Sequence, residues 1–139
     1  MARREARPRA ERERVLRPVR RCCPDCGRRM PIRYENRRTV ATLGGPVRLR
    51  LKVRRCETAG CARHHRPYRP EAEGVIALPQ HEFGLDVIAC VGTARHRDHR
   101  SVPEIHALLR QRGVMIAERS VTNLLDRYDG FRRKFAVGM

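Results

Sequence analysis

The chain has 139 residues, of which 32 are Lys or Arg and 15 are Asp or Glu, so its formal net charge is +17. This length accommodates one or two small domains, and the charge favours a polyanionic partner, either a nucleic acid or an anionic membrane surface. No apolar run is long enough to span a membrane, and residues 1–21 lack the apolar segment of a secretory signal. We therefore expect a cytoplasmic, nucleoid-associated protein, in whose reducing compartment the six cysteines are more typical of metal ligands than of disulfides.

The first segment, residues 1–21, holds nine Arg, three Glu and two Pro, and it has no helical apolar stripe. Low hydrophobicity with high net charge is typical of a disordered segment. We expect a basic arm that contacts phosphates when a nucleic acid binds.

The second segment, residues 22–66, contains two pairs of cysteines that flank a pattern of two strands. The paired cysteines are Cys23, Cys26, Cys56 and Cys61. Between the pairs, two β-like runs at 30–43 and 47–55 are separated by Gly-Gly-Pro, which predicts a hairpin. A hairpin returns the chain to its starting end, so the two pairs meet and supply the four soft ligands that structural Zn²⁺ prefers. The spacing predicts a zinc ribbon whose metal supports folding and leaves no coordination position for chemistry.

The sequence leaves alternatives for individual ligands. Cys22 could replace its neighbour Cys23, although the CxxC spacing favours Cys23, and His64 or His65 could replace one cysteine because imidazole also binds zinc well. The sixth cysteine, Cys90, lies in a helical apolar stretch and is predicted to be a small core residue.

The second β run alternates strictly between apolar and cationic residues. Its apolar positions are Val47, Leu49, Leu51 and Val53. Its cationic positions are Arg48, Arg50, Lys52 and Arg54. Period 2 predicts a strand with one buried face, and alternate residues lie about 7 Å apart, which suits contacts with successive phosphates. The cationic row is therefore predicted to be either a solvated face or a contact surface for the DNA backbone.

The remainder of the chain is predicted to be a connector, a helical domain and a short tail. Three prolines and a glycine mark the connector at 67–80, with a short strand at 75–78. Helical patterns fill 81–135, and residues 136–139 form the tail. The first helix spans 84–97, and its predicted buried stripe consists of Leu85, Ile88, Ala89 and Gly92.

Two further helices follow the first. A capping box, Ser101 with Glu104, begins the second helix, which buries Ile105, Leu108 and Leu109 and ends near Arg112, where Gly113 suits the left-handed position after a helix. The third helix begins near Ala117 or Glu118 after a turn of four residues, Gly-Val-Met-Ile. Helix, short turn and helix is the helix-turn-helix pattern. The predicted fold class is α+β, with a small β-hairpin zinc ribbon followed by a trihelical helix-turn-helix domain.

The third helix has a candidate base-reading face. Its predicted buried residues are Val121, Leu124, Leu125 and Tyr128. At 100° per residue, Arg119 and Asn123 then point outward, together with Asp126. Ser120, Thr122 and Arg127 flank them. Arg pairs with guanine and Asn with adenine in the major groove, usually from the first turns of a recognition helix.

The stretch VPEIHALLRQRGVMIAERSVTNLLDRY, after the cysteine-pair hairpin and the run LPQHEFGLDVIA, resembles the amino-terminal region of bacterial insertion-sequence transposases. The resemblance covers roughly residues 22–130 and implies a zinc ribbon and a helix-turn-helix that bind the terminal inverted repeats of the element. Ala117 departs from the pattern, since a Ser-like cap is expected there. Such transposases continue into a catalytic domain of RNase H type, whereas the carboxylates here show no such constellation.

We therefore expect a non-enzymatic protein that binds double-stranded DNA as part of a truncated or split transposase, with a separate catalytic subunit as a candidate partner. The alternative function is a zinc-ribbon module that binds RNA or a protein partner and uses its helices as a scaffold.

Overall fold

A computed structural model of the chain describes residues 10 and 12–136, with only the backbone of 134–136. The described part is a mixed α+β structure with one small sheet and four helices. The strands are β1 (Arg12–Leu16), β2 (Ile32–Thr42), β3 (Gly45–Arg55) and β4 (Pro67–Tyr68), and the helices are α1 (Glu73–Ile76), α2 (Leu85–His96), α3 (Val102–Gln111) and α4 (Glu118–Ala136). The predicted α+β class is confirmed. No helix in the described part combines the length and apolar character needed to cross a bilayer.

The centre of the sheet is β3, which pairs antiparallel with β2 as the predicted hairpin. On its other side β3 pairs in parallel with β1, from Arg12 opposite Val47 to Leu16 opposite Leu51. The predicted disordered arm is therefore wrong for Arg12–Leu16, because these residues complete the hydrogen bonding of β3 and Leu16 is buried against it. Residues 1–9 and 11 of that arm lie outside the described residues.

One face of the sheet is buried as the alternation predicts. Val47, Leu49, Leu51 and Val53 are all at most 6% exposed. This face packs against Val40 of β2 and Ala77, which directly follows α1. The predicted strand at 75–78 is wrong, because α1 forms a single helical turn there.

Two arginines hold α1 through a buried carboxylate. Glu73 is 7% exposed and accepts two hydrogen bonds of 2.7 Å from Arg69 and one of 3.1 Å from Arg38 on β2. Charge pairing of this kind makes it possible to bury Glu73, since an unpaired buried carboxylate would cost several kcal/mol. With Glu73 held in this way, Val75 lies within the helical turn of α1, and its side chain is exposed.

Helices α2, α3 and α4 enclose a second core. Ile105, Leu109, Val121 and Leu124 are buried in it as predicted. The capping box of α3 is present, with the Ser101 hydroxyl accepting from the Glu104 amide, and Gly113 adopts φ +83° after the helix.

The buried stripe of α2 differs from the prediction. Val87 and Val91 are fully buried, whereas Ala89 is exposed. The reason is that α2 packs against both α3 and α4, which shifts and widens the covered face. Gly92 is buried as predicted, directly against the Tyr128 ring of α4.

The helical core joins the sheet at the hairpin turn. Ala41 pairs with Phe83, the Gly84 amide donates to the Ala41 carbonyl at 2.9 Å, and the Leu43 amide donates to Asp86 at 3.0 Å. The paired cysteines lie beyond the opposite end of β3, which finishes at Arg55. Ten strand steps of about 3.3 Å therefore separate the two ends by roughly 33 Å.

Candidate metal centre and nucleic-acid interface

The four paired cysteines converge at the end of the hairpin. The sulfur atoms of Cys23, Cys26, Cys56 and Cys61 all lie within 4.8 Å of one another. The Cys23 and Cys61 sulfurs are 3.8 Å apart, and those of Cys26 and Cys56 are 3.6 Å apart. A tetrahedral zinc–thiolate site with Zn–S bonds of about 2.3 Å has sulfur–sulfur edges of about 3.8 Å. The cluster therefore fits one tetrahedral metal ion.

Backbone hydrogen bonds shape both loops that carry the cysteines. In the first loop the Cys23 amide donates to the Arg28 carbonyl at 2.8 Å, and the Gly27 amide donates to the Cys23 carbonyl at 2.9 Å. Gly27 has φ +73°, which favours glycine and lets the chain turn back after Cys26. In the second loop the His64 amide donates to the Cys61 carbonyl at 2.9 Å. Both loops are therefore held in place by the backbone.

The alternative ligands lie outside the cluster. Cys22 is exposed and its backbone pairs with Arg29, while its neighbour Cys23 is 1% exposed within the sulfur group. His64 and His65 stack on each other with ring centroids 3.8 Å apart. The described residues therefore give a four-cysteine set.

The pKa values of Cys26 and Cys61 are shifted in opposite directions. Hydrogen bonding with the Thr58 hydroxyl and with the Arg28 backbone, aided by the neighbouring thiols, lowers the pKa of Cys26 to about 6. For Cys61 the amide of Arg63 acts in the same direction, but burial and the three other sulfurs outweigh it and raise the pKa to about 12. A metal ion must displace the protons that remain, so its binding will weaken as the pH falls.

The cationic row of β3 is mostly engaged within the chain. Arg50 contacts Glu13 at 3.2 Å and Glu35 at 2.9 Å, and Lys52 contacts Glu35 at 3.0 Å. Arg54 is 8% exposed and donates to the Met30 carbonyl at 2.7 Å, so the prediction that it faces phosphates is wrong. Arg54 is covered near the end of β3, where the Met30 carbonyl accepts its hydrogen bond and the pairing of β2 with β3 is irregular at Ile32, opposite Arg54. Only Arg48 of this row is exposed, and it contacts no carboxylate in the described part of the chain.

The carboxylate of Glu35 is what neutralises this face. Lys52, Arg37 and Arg50 lower the pKa of Glu35 to about 2, so it stays ionised across the physiological range. The sequence pattern of β3 alone does not reveal Glu35, because its position beside the cations depends on the register of β2.

The exposed face of α4 has the composition that the sequence predicts. Val121, Leu124 and Leu125 are buried, and Tyr128 is half-buried. The exposed residues are Arg119, Thr122, Asn123, Asp126 and Arg127, with Ser120 half-buried beside them. None of these residues forms an ion pair with another described residue, so their polar groups are available at the surface. Their role in DNA binding stays a prediction.

Sequence analysis missed a group of arginines around the cysteine cluster. Arg20, Arg21, Arg28, Arg29 and Arg66 are all exposed there. An antiparallel bridge between Cys22 and Arg29, with the Met30 amide donating to the Arg21 carbonyl at 2.8 Å, places the two Arg-Arg pairs side by side. The signal that could have revealed them is an Arg-Arg pair close to each side of the CxxC motif.

An apolar depression of about 460 Å³ lies between α2 and the carboxyl-terminal half of α4. Its apolar lining includes Leu78, Leu85, Ile88, Tyr128 and Phe131.

Comparison with known proteins identified no matching family model, no matching curated protein and no matching solved structure.

Proposed function

We propose that this protein binds duplex DNA sequence-specifically through α4, as a transposase-derived protein with a zinc ribbon and a helix-turn-helix. The observation that carries the proposal is the division of α4 into two faces. Val121, Leu124 and Leu125 anchor the helix to α2 and α3, while Arg119 and Asn123 remain exposed in its first two turns. These two side chain types have the hydrogen-bonding geometry to read guanine and adenine.

The helix pair that presents this face supports the proposal. Six residues, Arg112–Ala117, separate α3 from α4, and Gly113, with φ +83°, lies where the turn leaves α3. A short turn fixes the relative orientation of two helices, which is what a helix-turn-helix needs to hold its second helix in the major groove.

The second part of the proposal is that Zn²⁺ occupies the four-cysteine cluster and stabilises the sheet. The sulfur spacings fit a tetrahedral zinc–thiolate site, and four protein ligands leave no open position for a substrate. The core beside the cluster is small, consisting of Cys23, Met30 and Cys56 with Cys61 and Tyr68 packed against it. A metal would supply the stabilisation that so few apolar side chains cannot.

The transposase origin rests on the sequence resemblance, which implies binding to the ends of a mobile element. A separate catalytic subunit remains the proposed partner, and the apolar depression beside Phe131 is a candidate surface for it. The same depression favours the protein-binding form of the second candidate function, a zinc-ribbon module that binds RNA or a protein partner.

The test is selection from a library of random duplexes, followed by gel-shift titration at a fixed salt concentration. We expect one enriched sequence, and we expect Arg119→Ala and Asn123→Ala each to relax the base preference at a single position at a cost of roughly 1–3 kcal/mol. Arg133→Ala is the matched control, because it removes one charge from an exposed site near the far end of the same helix. Lack of enrichment, or equal competition by single-stranded RNA, would favour the second candidate function instead.

A further inference from the structure

The positive charge of the chain is unevenly divided between its two halves. Residues 1–80 hold 22 cationic side chains and 8 carboxylates, a net charge of +14, whereas residues 81–139 hold 10 and 7, a net charge of +3. The helices that contain the proposed base-reading face therefore carry little of the electrostatic attraction for DNA. Phosphate contacts supply much of the affinity of DNA-binding proteins, so a second contact surface is expected in the sheet half.

Within the sheet half, the end with the cysteine cluster is where free cations gather. The carboxylates there are Asp25, which pairs with Arg63 at 3.3 Å, Glu57, which pairs with Arg33, and Glu71, which accepts hydrogen bonds from the Val19 amide beside Arg20. No carboxylate in the described ranges pairs with the five arginines that surround the cluster. These are Arg20, Arg21, Arg28, Arg29 and Arg66, and we call them the arginine rim. The outer face of β3 is less suitable, because Glu13 and Glu35 neutralise its cations.

The arginine rim is held on a rigid frame. The Cys23 amide donates to the Arg28 carbonyl, the Arg66 amide donates to the Arg63 carbonyl at 3.0 Å, and the Arg20 guanidinium donates to the Cys22 carbonyl at 3.1 Å. The backbones of these arginines are therefore positioned by the same loops that position the sulfurs. A surface fixed in this way can bind phosphates with a smaller loss of conformational entropy than a flexible arm.

The helical domain and the arginine rim lie at opposite ends of β3. Helices α2–α4 attach to the hairpin turn at Ala41 and Phe83, and the arginine rim lies beyond the other end of β3. The strand is roughly 33 Å long, so the two surfaces can contact separate places on one duplex.

We propose that the arginine rim is a second DNA contact, which binds phosphates at a separate place on the duplex from the bases read by α4. The proposal rests on the function proposed above and adds a bipartite site contacted by one chain. Base contacts by α4 would set the position on the duplex, and the rim would add salt-sensitive affinity without reading sequence.

The first experiment is hydroxyl-radical footprinting of the zinc-loaded, full chain on its selected duplex. We expect two separate protected segments, one at the bases read by α4 and one at the phosphates bound by the arginine rim. Removing the distal segment from the duplex should lower the affinity roughly 10- to 30-fold at about 0.15 M salt, as expected for the loss of two phosphate contacts. One short protected segment, with affinity unchanged by the truncation, would overturn the inference while leaving the role of α4 intact.

The second experiment uses the double variant Arg28→Ala/Arg29→Ala, with its zinc content and thermal unfolding measured first. Its affinity should depend less on the distal segment than that of the unmodified chain, and the slope of log K against log salt should decrease by about 2. Arg132→Ala/Arg133→Ala is the control for an equal loss of charge, and Arg28→Lys/Arg29→Lys should retain the slope. If the alanine variant fails to fold, truncation of the duplex with the unmodified chain still tests whether the arginine rim contacts DNA. Failure to select any duplex would instead contradict the proposed function itself.

Discussion

The packing of α2 against α4 can be tested by the same substitution at two glycines. Gly92 lies in α2, and a Cβ added there would be 2.5 Å from the Tyr128 Cζ and closer still to two other atoms of the ring. Gly130 lies in α4, is exposed, and would have no atom within 4 Å of an added Cβ. Helix propensity alone predicts that alanine stabilises both positions by up to about 1 kcal/mol.

The structure predicts opposite signs for the two variants. Gly130→Ala should raise the free energy of unfolding by about 0.5–1 kcal/mol, since nothing opposes the propensity gain. Gly92→Ala must displace the Tyr128 ring from the core, and overpacking of this kind costs typically 1–3 kcal/mol. After the propensity gain is subtracted, Gly92→Ala should lower the free energy of unfolding by up to about 2 kcal/mol.

The assay is urea denaturation monitored by far-ultraviolet circular dichroism, with zinc in excess so that the metal centre does not limit the transition. Gly92→Ala/Tyr128→Leu is the diagnostic double variant, because shortening the side chain at Tyr128 should recover part of the loss. If Gly92→Ala were as stabilising as Gly130→Ala, the close contact between α2 and Tyr128 would be refuted. Displacement of α4 in Gly92→Ala should also weaken specific DNA binding.

Four further predictions follow from contacts of the sheet. A chelator, or Cys56→Ser, should remove the metal and the hydrogen-exchange protection of the sheet while α2–α4 retain their helical signal. The reason is that, among the described residues, the helical core joins the sheet at the hairpin turn, near Ala41, Leu43 and Phe83. Protection unchanged at less than one zinc per chain would contradict the metal proposal. Glu35→Gln should raise non-specific DNA affinity and steepen its salt dependence, since Arg37, Arg50 and Lys52 lose their shared carboxylate, and Asp98→Asn serves as the charge control. In gel shifts on non-specific duplexes, Arg48→Ala should weaken binding more than Arg50→Ala, because Arg50 is held by Glu13 and Glu35. Glu73→Gln should lower the free energy of unfolding by roughly 3 kcal/mol at neutral pH. Arg69 and Arg38 lower the pKa of Glu73, so the stabilisation by this carboxylate is present above about pH 4.5 and is lost as the pH falls through the lower pKa of the folded state. Urea titrations at several pH values can measure this loss.

Local patterns in the sequence were sufficient to predict several elements of the structure. The alternation from Val47 to Val53 predicts β3 and its buried face, because period 2 leaves only one arrangement in which all four apolar residues are covered. The cysteine spacing around a hairpin likewise determines which sulfurs meet, since a hairpin must bring its two ends together. Ser101, Glu104 and Gly113 predict the limits of α3, because capping groups act on the backbone within a few residues.

The partners of charged residues depended on tertiary structure. The strand β1 carries only Val15 and Leu16 as apolar residues, and it exists because the open edge of β3 supplies its hydrogen bonds. Glu35 reaches the cations of β3 only through the register of the hairpin, and the buried Glu73 draws on Arg38 from 35 residues away. The tertiary structure likewise decides which arginines can bind a polyanion, because these carboxylates pair with some of the arginines and leave others unpaired. Sequence determined β3, the cysteine cluster and the limits of α3 because their causes are local, whereas β1, α1 and charge pairing over long distances in the chain required the fold.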